Sequence, residues 1–266
     1  MEIDRVRIVP CRNGGNRLET ISFCKAGTAV VQEIPFAQAN ILDIVQNNNN
    51  YNQRMAWALV GNILNILKEQ PALLKSILEH RPPFARGLAD GTWDQGDTVV
   101  LNRLVESSEQ SRNQIKELYD IVATCNIVTS SGLVGKERVA VAQGFFEHLS
   151  FADHACQPNT EIIHNSDGST TLRALFDIPP NAPVTWRYID TQYKAEGRVF
   201  PGPPDVEALR THFGFECACA TCTGRCVVCD EPTSKRCKDC QFTVLYCGKK
   251  CQKVHWPMHR KEHMTH

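Results

Sequence analysis

The chain has 266 residues, room for one large domain or for one medium domain with a small satellite. Lys and Arg total 29 and Asp and Glu total 29, so the net charge is zero and no global field points to nucleic acid or to an anionic membrane. The opening MEIDRVRIVP is charged from Glu2 and lacks a signal-type apolar segment, and no apolar run approaches the about 18 residues of a membrane span. The expectation is a soluble, intracellular protein of the cytoplasm or nucleus with no membrane partner.

The segment from Ile3 to Phe36 reads as short strands. VRIV and TAVVQEI are rich in β-branched residues, and Gly14, Gly15 and Gly27 interrupt them. Four asparagines, Asn47 to Asn50, predict a loop before a helix. Met55, Leu59, Ile63, Ile66 and Leu67 then recur close to helical spacing, and Leu73, Leu74, Ile77 and Leu78 resume it beyond Pro71. RPPFARGLADGTWDQGD predicts a connection, and Val100, Leu104, Ile115, Leu118, Ile121 and Val122 predict further helix. These stripes are expected to face a core. From Phe151 strands return in TEIIH, TTLRAL and APVTWRYI, and NSDG between the first two predicts a hairpin whose Asp-Gly pair supplies positive φ angles. The order is strands, helices, strands and a cysteine-rich tail, which predicts an α+β fold.

Of 13 cysteines, ten lie between Cys156 and Cys251, and nine of those fall between Cys217 and Cys251. Without a secretory route a disulfide framework is not expected, and cysteines this dense point to metal. The tail reads C226-x2-C229-x7-C237-x2-C240-x6-C247-x3-C251, followed by His255, His259 and His263. Two knuckles, a C-x3-C pair and an H-x3-H pair supply eight ligands for two tetrahedral zinc ions. The x3 spacings place both ligands of a pair on one face of a helix. Only Thr223 to Arg225 separate Cys222 from Cys226, so the tail must pack against what precedes it. Cys217, Cys219 and Cys222 are one ligand short of a tetrahedron. The fourth is water or a distant residue, with Cys11, Cys24, Cys125 and Cys156 unassigned. Between Lys235 and His263 stand eight basic against two acidic residues. Thiolates overcompensate the charge of zinc and basic neighbours offset the excess, so nucleic acid is not the expected partner.

The tail spacing, with YC, CQ and Trp256 followed three residues on by a histidine, resembles the MYND zinc finger. The resemblance implies that Cys226, Cys229, Cys247 and Cys251 share one ion. Cys237, Cys240, His259 and His263 then share the other, His263 standing where the family usually has cysteine. Both sites are closed, hence structural. FADHACQPNT resembles the NHSCxPN segment of SET-domain lysine methyltransferases, VTWRYID their LTxxYID-type segment, and FGFECACATC their post-SET segment. CKAGTAVVQEIPFAQA resembles an early strand of that family, and TCNIVTSSGL its CNSF segment. The ordered set is similar to the SET- and MYND-containing methyltransferases. It implies small twisted sheets with a helical insert at about residues 40–125 in a SET domain of residues 1–212. A post-SET zinc segment at 213–222 and a MYND finger at 226–263 complete the chain. Cys156 becomes the fourth ligand with Cys217, Cys219 and Cys222, giving three structural zinc ions and leaving Cys11, Cys24 and Cys125 as free thiols.

The resemblance further implies methyl transfer from S-adenosylmethionine to a lysine side chain of a protein substrate. An aromatic channel desolvates the lysine and lowers its pKa. Tyr188 is expected at the channel end, orienting the amine, with Val128 and Phe213 as further channel residues. Asn16, Asn126, Ser150, Asp153, His154 and Phe215 are the expected cofactor contacts, and a backbone-bonded core role is the alternative for His154. Asn159 is expected to support a crossing of chain segments. Departures from the family pattern are Arg17 in place of a glycine, Asp153 in place of asparagine, Phe213 in place of tyrosine, Val128 in place of phenylalanine, and Pro180 to Ala182 in place of a GEE turn. The finger also stands at the carboxy-terminal side rather than interrupting the SET domain. The competing expectation is a degenerate SET scaffold acting as an adaptor, its MYND finger binding proline-containing peptides near Trp256.

Overall fold

The computed structural model describes residues 4–11, 15–40, 51–78, 95–125, 127–134, 137–189, 192–195, 198–201, 206–213, 215–237 and 244–264. In chain order the elements are β1 (Val6–Pro10), β2 (Asn16–Thr20), β3 (Ala29–Glu33), β4 (Ala37–Asn40), α1 (Tyr51–Glu69), α2 (Leu73–Leu78), α3 (Gln95–Ser107) and α4 (Arg112–Cys125). There follow β5 (Ile127–Val134), β6 (Glu137–Phe145), β7 (Asp153–His154), β8 (Thr160–His164), β9 (Thr170–Ala174), β10 (Thr185–Trp186), β11 (Gln192–Ala195) and β12 (Arg198–Pro201). A short helix α5 (Val206–Ala208) runs into a π-helical turn, and α6 (Lys249–Met264) ends the described chain. The sheets are small: two of three strands, ordered β3-β9-β8 and β4-β6-β5, and three of two strands. This mixture of helices and small sheets is the α+β class expected from the sequence. Asn47 to Asn50 and most of the Pro- and Gly-rich connection lie outside the described residues. Among the described residues no helix is long and apolar enough to cross a membrane.

The chain divides into two compact units: Met1–Glu19, Val31–Ala152 and Ile163–Thr171 form the first, and Thr20–Val30, Asp153–Ile162 and Leu172–His266 the second. The core of the first is the helical stripe read from the sequence. Met55, Leu59, Ile63, Ile115, Leu118 and Val122 are fully buried, together with Ala39 of β4 and Phe145 of β6. Each of the large side chains among these stabilises the fold by about 1.5–3 kcal/mol relative to exposure. Pro71, which lacks an N–H, follows the last turn of α1, and Ser111 opens α4 with a capping box. The Ser111 N–H donates to Gln114 Oε1 at 2.9 Å, and the Gln114 N–H returns to Ser111 Oγ at 3.3 Å. The indole N–H of Trp57 on α1 donates to buried Asp97 on α3 at 2.8 Å, fixing these helices in register.

The NSDG hairpin forms, with a different turn from the one expected. The Asn165 N–H meets the Ser169 carbonyl at 2.8 Å and the Gly168 N–H meets the Asn165 carbonyl at 3.1 Å. Only Gly168 has positive φ, at 85°. This is a three-residue loop closed by one left-handed glycine, and Asp167 stays in ordinary backbone space because its carboxylate accepts from the Ser169 N–H at 2.9 Å.

In the second unit APVTWRYI contributes only the two strand residues of β10, where a longer strand was expected. Pro183 has no N–H to offer a ladder, and side chains take over the pairing. Asn159 does most of this. Its Nδ2 donates to the Pro183 carbonyl at 2.7 Å, and its Oδ1 accepts from the Thr185 N–H at 2.8 Å and the Thr185 hydroxyl at 3.1 Å. Its backbone carbonyl also receives the Leu175 N–H at 2.9 Å. Asn159 thus locks the crossing of three segments, the architectural place expected for it. The PNA turn is sharp for a similar reason. Asn181 takes φ 60°, a conformation asparagine tolerates, and buried Thr20 bridges both ends by donating to the Pro179 carbonyl at 2.7 Å and accepting from the Ala182 N–H at 3.1 Å.

Candidate metal centres and aromatic site

The sulfurs of Cys156, Cys217, Cys219 and Cys222 all lie within 4.8 Å of one another. Cys156 Sγ is 3.6 Å from Cys217 Sγ and 3.4 Å from Cys222 Sγ. Cys156 sits just after β7, and the other three sit on a turn that closes when the Thr223 N–H reaches the Cys219 carbonyl at 3.0 Å. Hydrogen bonds from the Cys156, Cys219 and Cys222 thiols pull Cys217 strongly down, while the Cys217 and Cys219 partners push Cys156 strongly up. Four sulfurs this close cannot ionise together without a cation among them, and four converging thiolates are a tetrahedral zinc donor set.

Cys226, Cys229, Cys247 and Cys251 form a second such group. Cys247 Sγ lies 3.4 Å from both Cys229 Sγ and Cys251 Sγ. The knuckle is tight: Asp230, at φ 61°, returns its N–H to the Cys226 carbonyl at 2.9 Å. Burial raises Cys226, but the backbone N–H groups of Cys247, Cys229 and Val228 outweigh it and bring the thiol down to about 6. Amides aimed at sulfur favour the thiolate that zinc binds. One detail differs from the expectation that the C-x3-C pair shares a helix face. α6 begins at Lys249, so only Cys251 is helical. Gly248 initiates the helix, its carbonyl receiving the Gln252 N–H at 3.2 Å, and Cys247 precedes it. Of the other expected finger ligands, Cys237 and His259 are buried, at 1 % and 0 % exposure. Cys240 and the His263 side chain lie outside the described residues. His255, expected outside both shells, has its Nδ1 2.9 Å from the Tyr246 hydroxyl and stacks on His259 with centroids 5.9 Å apart.

The remaining group, Glu33, Glu147 and His148, has a different character. Glu33 is already saturated by donors. Its carboxylate accepts the N–H groups of Glu147 at 2.7 Å, of His148 at 3.1 Å and of Leu149 at 3.1 Å, and His148 Nδ1 stands 3.7 Å away. Amide hydrogens occupy the directions a cation would need, so the cluster is a clasp rather than a metal site. Burial raises the Glu33 carboxyl, but these donors outweigh it and hold it below the usual 4.5. The Glu33 carboxylate raises His148 above its usual 6.5. The Glu33 contribution is present above about pH 4.5 and lost as pH falls through its depressed value. The His148 contribution is present below about pH 6.5 and lost as pH rises through its raised value. Glu33→Gln is expected to cost about 2–3 kcal/mol and to flatten both limbs. Urea midpoints of both proteins from pH 3 to 9 check this, and identical profiles would refute the clasp.

Around Tyr188 the second unit gathers aromatic rings. Centroids lie at 4.9 Å to Phe213, 5.0 Å to Trp186, 5.3 Å to His154 and 6.3 Å to Phe215. Four of the predicted site residues, His154, Tyr188, Phe213 and Phe215, therefore meet. Trp186 was not singled out from the sequence, although a strand period of two counted back from Tyr188 reaches it. Asp153 opens β7 in parallel register with Thr185. In the first unit, Asn16 begins β2, Val128 lies on β5 and is 41 % exposed, and the Ser150 hydroxyl accepts the Phe146 N–H at 3.2 Å. Asn126 lies outside the described residues. Arg17 is engaged laterally, its Nε donating to Glu19 at 3.1 Å. That bond, with Arg7 at 3.5 Å, holds the Glu19 carboxyl below its usual range.

Residues 226–263 match the MYND finger family. Over 126 residues, 47% of its length, the chain is 28% identical to histone-lysine N-methyltransferase SMYD3 of Homo sapiens and 25% identical to that of Mus musculus. The match spans 28% of each relative. Among solved structures, the SET domain of LSMT bound to lysine and AdoHcy aligns with a TM-score of 0.36 at 8% identity, covering 84% of this chain and 55% of that one.

Proposed function

We propose that the chain, which carries a MYND finger and is similar to SMYD3, is an S-adenosylmethionine-dependent protein-lysine N-methyltransferase. The observation that carries the reading is the cluster of His154, Trp186, Phe213 and Phe215 rings around Tyr188. Such a wall strips water from a lysine side chain and favours the neutral amine over the ammonium, as the reaction needs. The Tyr188 hydroxyl is the polar group among these rings suited to fix the amine lone pair in line with the methyl group. S-adenosylmethionine supplies that methyl group, with Asn16, Asn126, Ser150, Asp153, His154 and Phe215 as the residues to hold it and Val128 as a further channel residue. Three structural zinc ions complete the protein: one on Cys156, Cys217, Cys219 and Cys222, one on Cys226, Cys229, Cys247 and Cys251, and one on Cys237, Cys240, His259 and His263. The domains run as a SET domain over 1–212, a post-SET segment over 213–222 and a finger over 226–263.

Isothermal titration with S-adenosylhomocysteine, paired with methyl-transfer assays on lysine-containing protein fractions, tests the reading. Saturable binding and tritium incorporation are expected. A flat titration and no thermal shift would sink it.

A second reading, an adaptor binding proline-containing peptides through the finger, is favoured by Val254 and Met258. They lie one helical turn apart on α6 and are 65 % and 58 % exposed. Replacing Val254 and Met258 together by aspartate is expected to weaken capture of such peptides at least tenfold. Unchanged capture would count against the adaptor.

A further inference from the structure

His154 touches both the cysteine cluster and the strand that carries Tyr188. Its Nε2 stands 3.2 Å from Cys156 Sγ, and its Nδ1 stands 3.2 Å from the Tyr188 backbone nitrogen. A backbone N–H only donates, so Nδ1 is the acceptor and carries no proton. In the neutral ring the proton then sits on Nε2, where it points at the Cys156 sulfur. Cys156 in turn belongs to the four-thiolate group, and a thiolate bound to zinc keeps the lone pairs to accept an N–H. The parallel pairing of His154 with Trp186, two residues before Tyr188, puts the ring at this height.

We propose that His154 is a positioning residue. Its imidazole bridges the Cys156 thiolate to the Tyr188 amide, so that loading the post-SET metal site sets the placement of the Tyr188 ring. The proposal rests on Tyr188 being the residue that orients the amine. It gives the zinc site a part in the reaction beyond holding the chain together, although the metal lies outside the chemistry.

Three variants of the full chain, reconstituted with cobalt(II), divide the two arms. His154→Phe keeps a ring and removes both bonds. His154→Asn offers an acceptor near the Nδ1 position and nothing at Nε2. His154→Gln offers a donor near Nε2 and nothing at Nδ1. The thiolate-to-cobalt charge-transfer band is expected to shift in His154→Phe and His154→Asn and to hold in His154→Gln. Hydrogen exchange of the Tyr188 amide is expected to speed up about tenfold in His154→Phe and His154→Gln and to hold in His154→Asn. With both arms cut, kcat at saturating cofactor falls about tenfold or more, whatever the change in the Kd for S-adenosylhomocysteine. A band and an amide that both stay put in His154→Phe would overturn the bridge and leave the ring its cofactor contact alone. If the unsubstituted protein binds no S-adenosylhomocysteine, the methyltransferase reading falls, and the band and the amide still decide whether the bridge exists. Should His154→Phe fail to fold, the opposite signatures of His154→Asn and His154→Gln carry the test.

Discussion

Cys156→Ser is expected to cost the chain one zinc ion and the ordered turn around Cys217 to Cys222, while the finger keeps its metal. The Cys156 sulfur is the cluster's single contribution from outside that turn, and its partners Cys217 and Cys222 stand 61 and 66 residues further along. A serine hydroxyl at this place stays protonated and offers a hard, weak ligand where zinc prefers thiolate. Structural zinc is worth about 10–16 kcal/mol in isolated fingers, so loss of one ligand in four removes several kcal/mol of folding free energy. With about 2–4 °C per kcal/mol for a chain of this size, the Tm drops by about 10 °C or more. Metal content by mass spectrometry and a thermal scan give both numbers. Cys11→Ser, a thiol outside the clusters, is expected to leave the metal content alone, and Cys226→Ser to release a different ion. A Cys156→Ser protein with full metal content would remove Cys156 from the site.

The contrast between Cys156 and Cys226 also shows what could be read from the chain. The Cys226, Cys229, Cys247 and Cys251 group announces itself by spacing, because zinc knuckles are local and their ligands keep close company in sequence. The three cysteines from Cys217 to Cys222 announce only that a ligand is missing. Four residues were open as the fourth, and resemblance to a SET segment chose among them. Helical stripes were legible in the same local way, and Met55, Leu59 and Ile63 are buried as their spacing demands. The misses share a cause. The bridge through His154 depends on its register with Trp186, 32 positions away, and no local pattern encodes a parallel register between two-residue strands. The Glu33 clasp depends on three backbone amides, which every residue but proline carries and which therefore leave no mark in the sequence. APVTWRYI looked like a full strand because its residue types favour one, yet Pro183 and the Asn159 side chain shorten it to two residues.

Tyr188→Phe is expected to lower methyl transfer about a hundredfold or more while leaving S-adenosylhomocysteine binding within about threefold. The substitution keeps ring volume and the contacts with Phe213, Trp186 and His154, so the wall that excludes water survives. It also keeps the backbone N–H that reaches His154 Nδ1 at 3.2 Å, so the link to the cysteine cluster is not disturbed. What disappears is a single hydroxyl. If that hydroxyl aligns the amine, its loss enlarges the set of unproductive amine orientations, and the effect falls on kcat with KM for the peptide nearly unchanged. If Tyr188 is instead a half-buried strand residue of a scaffold, Phe is close to neutral for stability and for every binding property. Single-turnover kinetics with saturating cofactor separates the two. A Tyr188→Phe enzyme with undiminished transfer would place the chemistry on another residue, and a loss of cofactor affinity equal to the loss of rate would make Tyr188 a binding group. The outcome with Phe also bears on Phe213. Its ring lies 4.9 Å from Tyr188 and carries no hydroxyl, so a hundredfold effect at Tyr188 would show that one hydroxyl among these rings suffices for transfer.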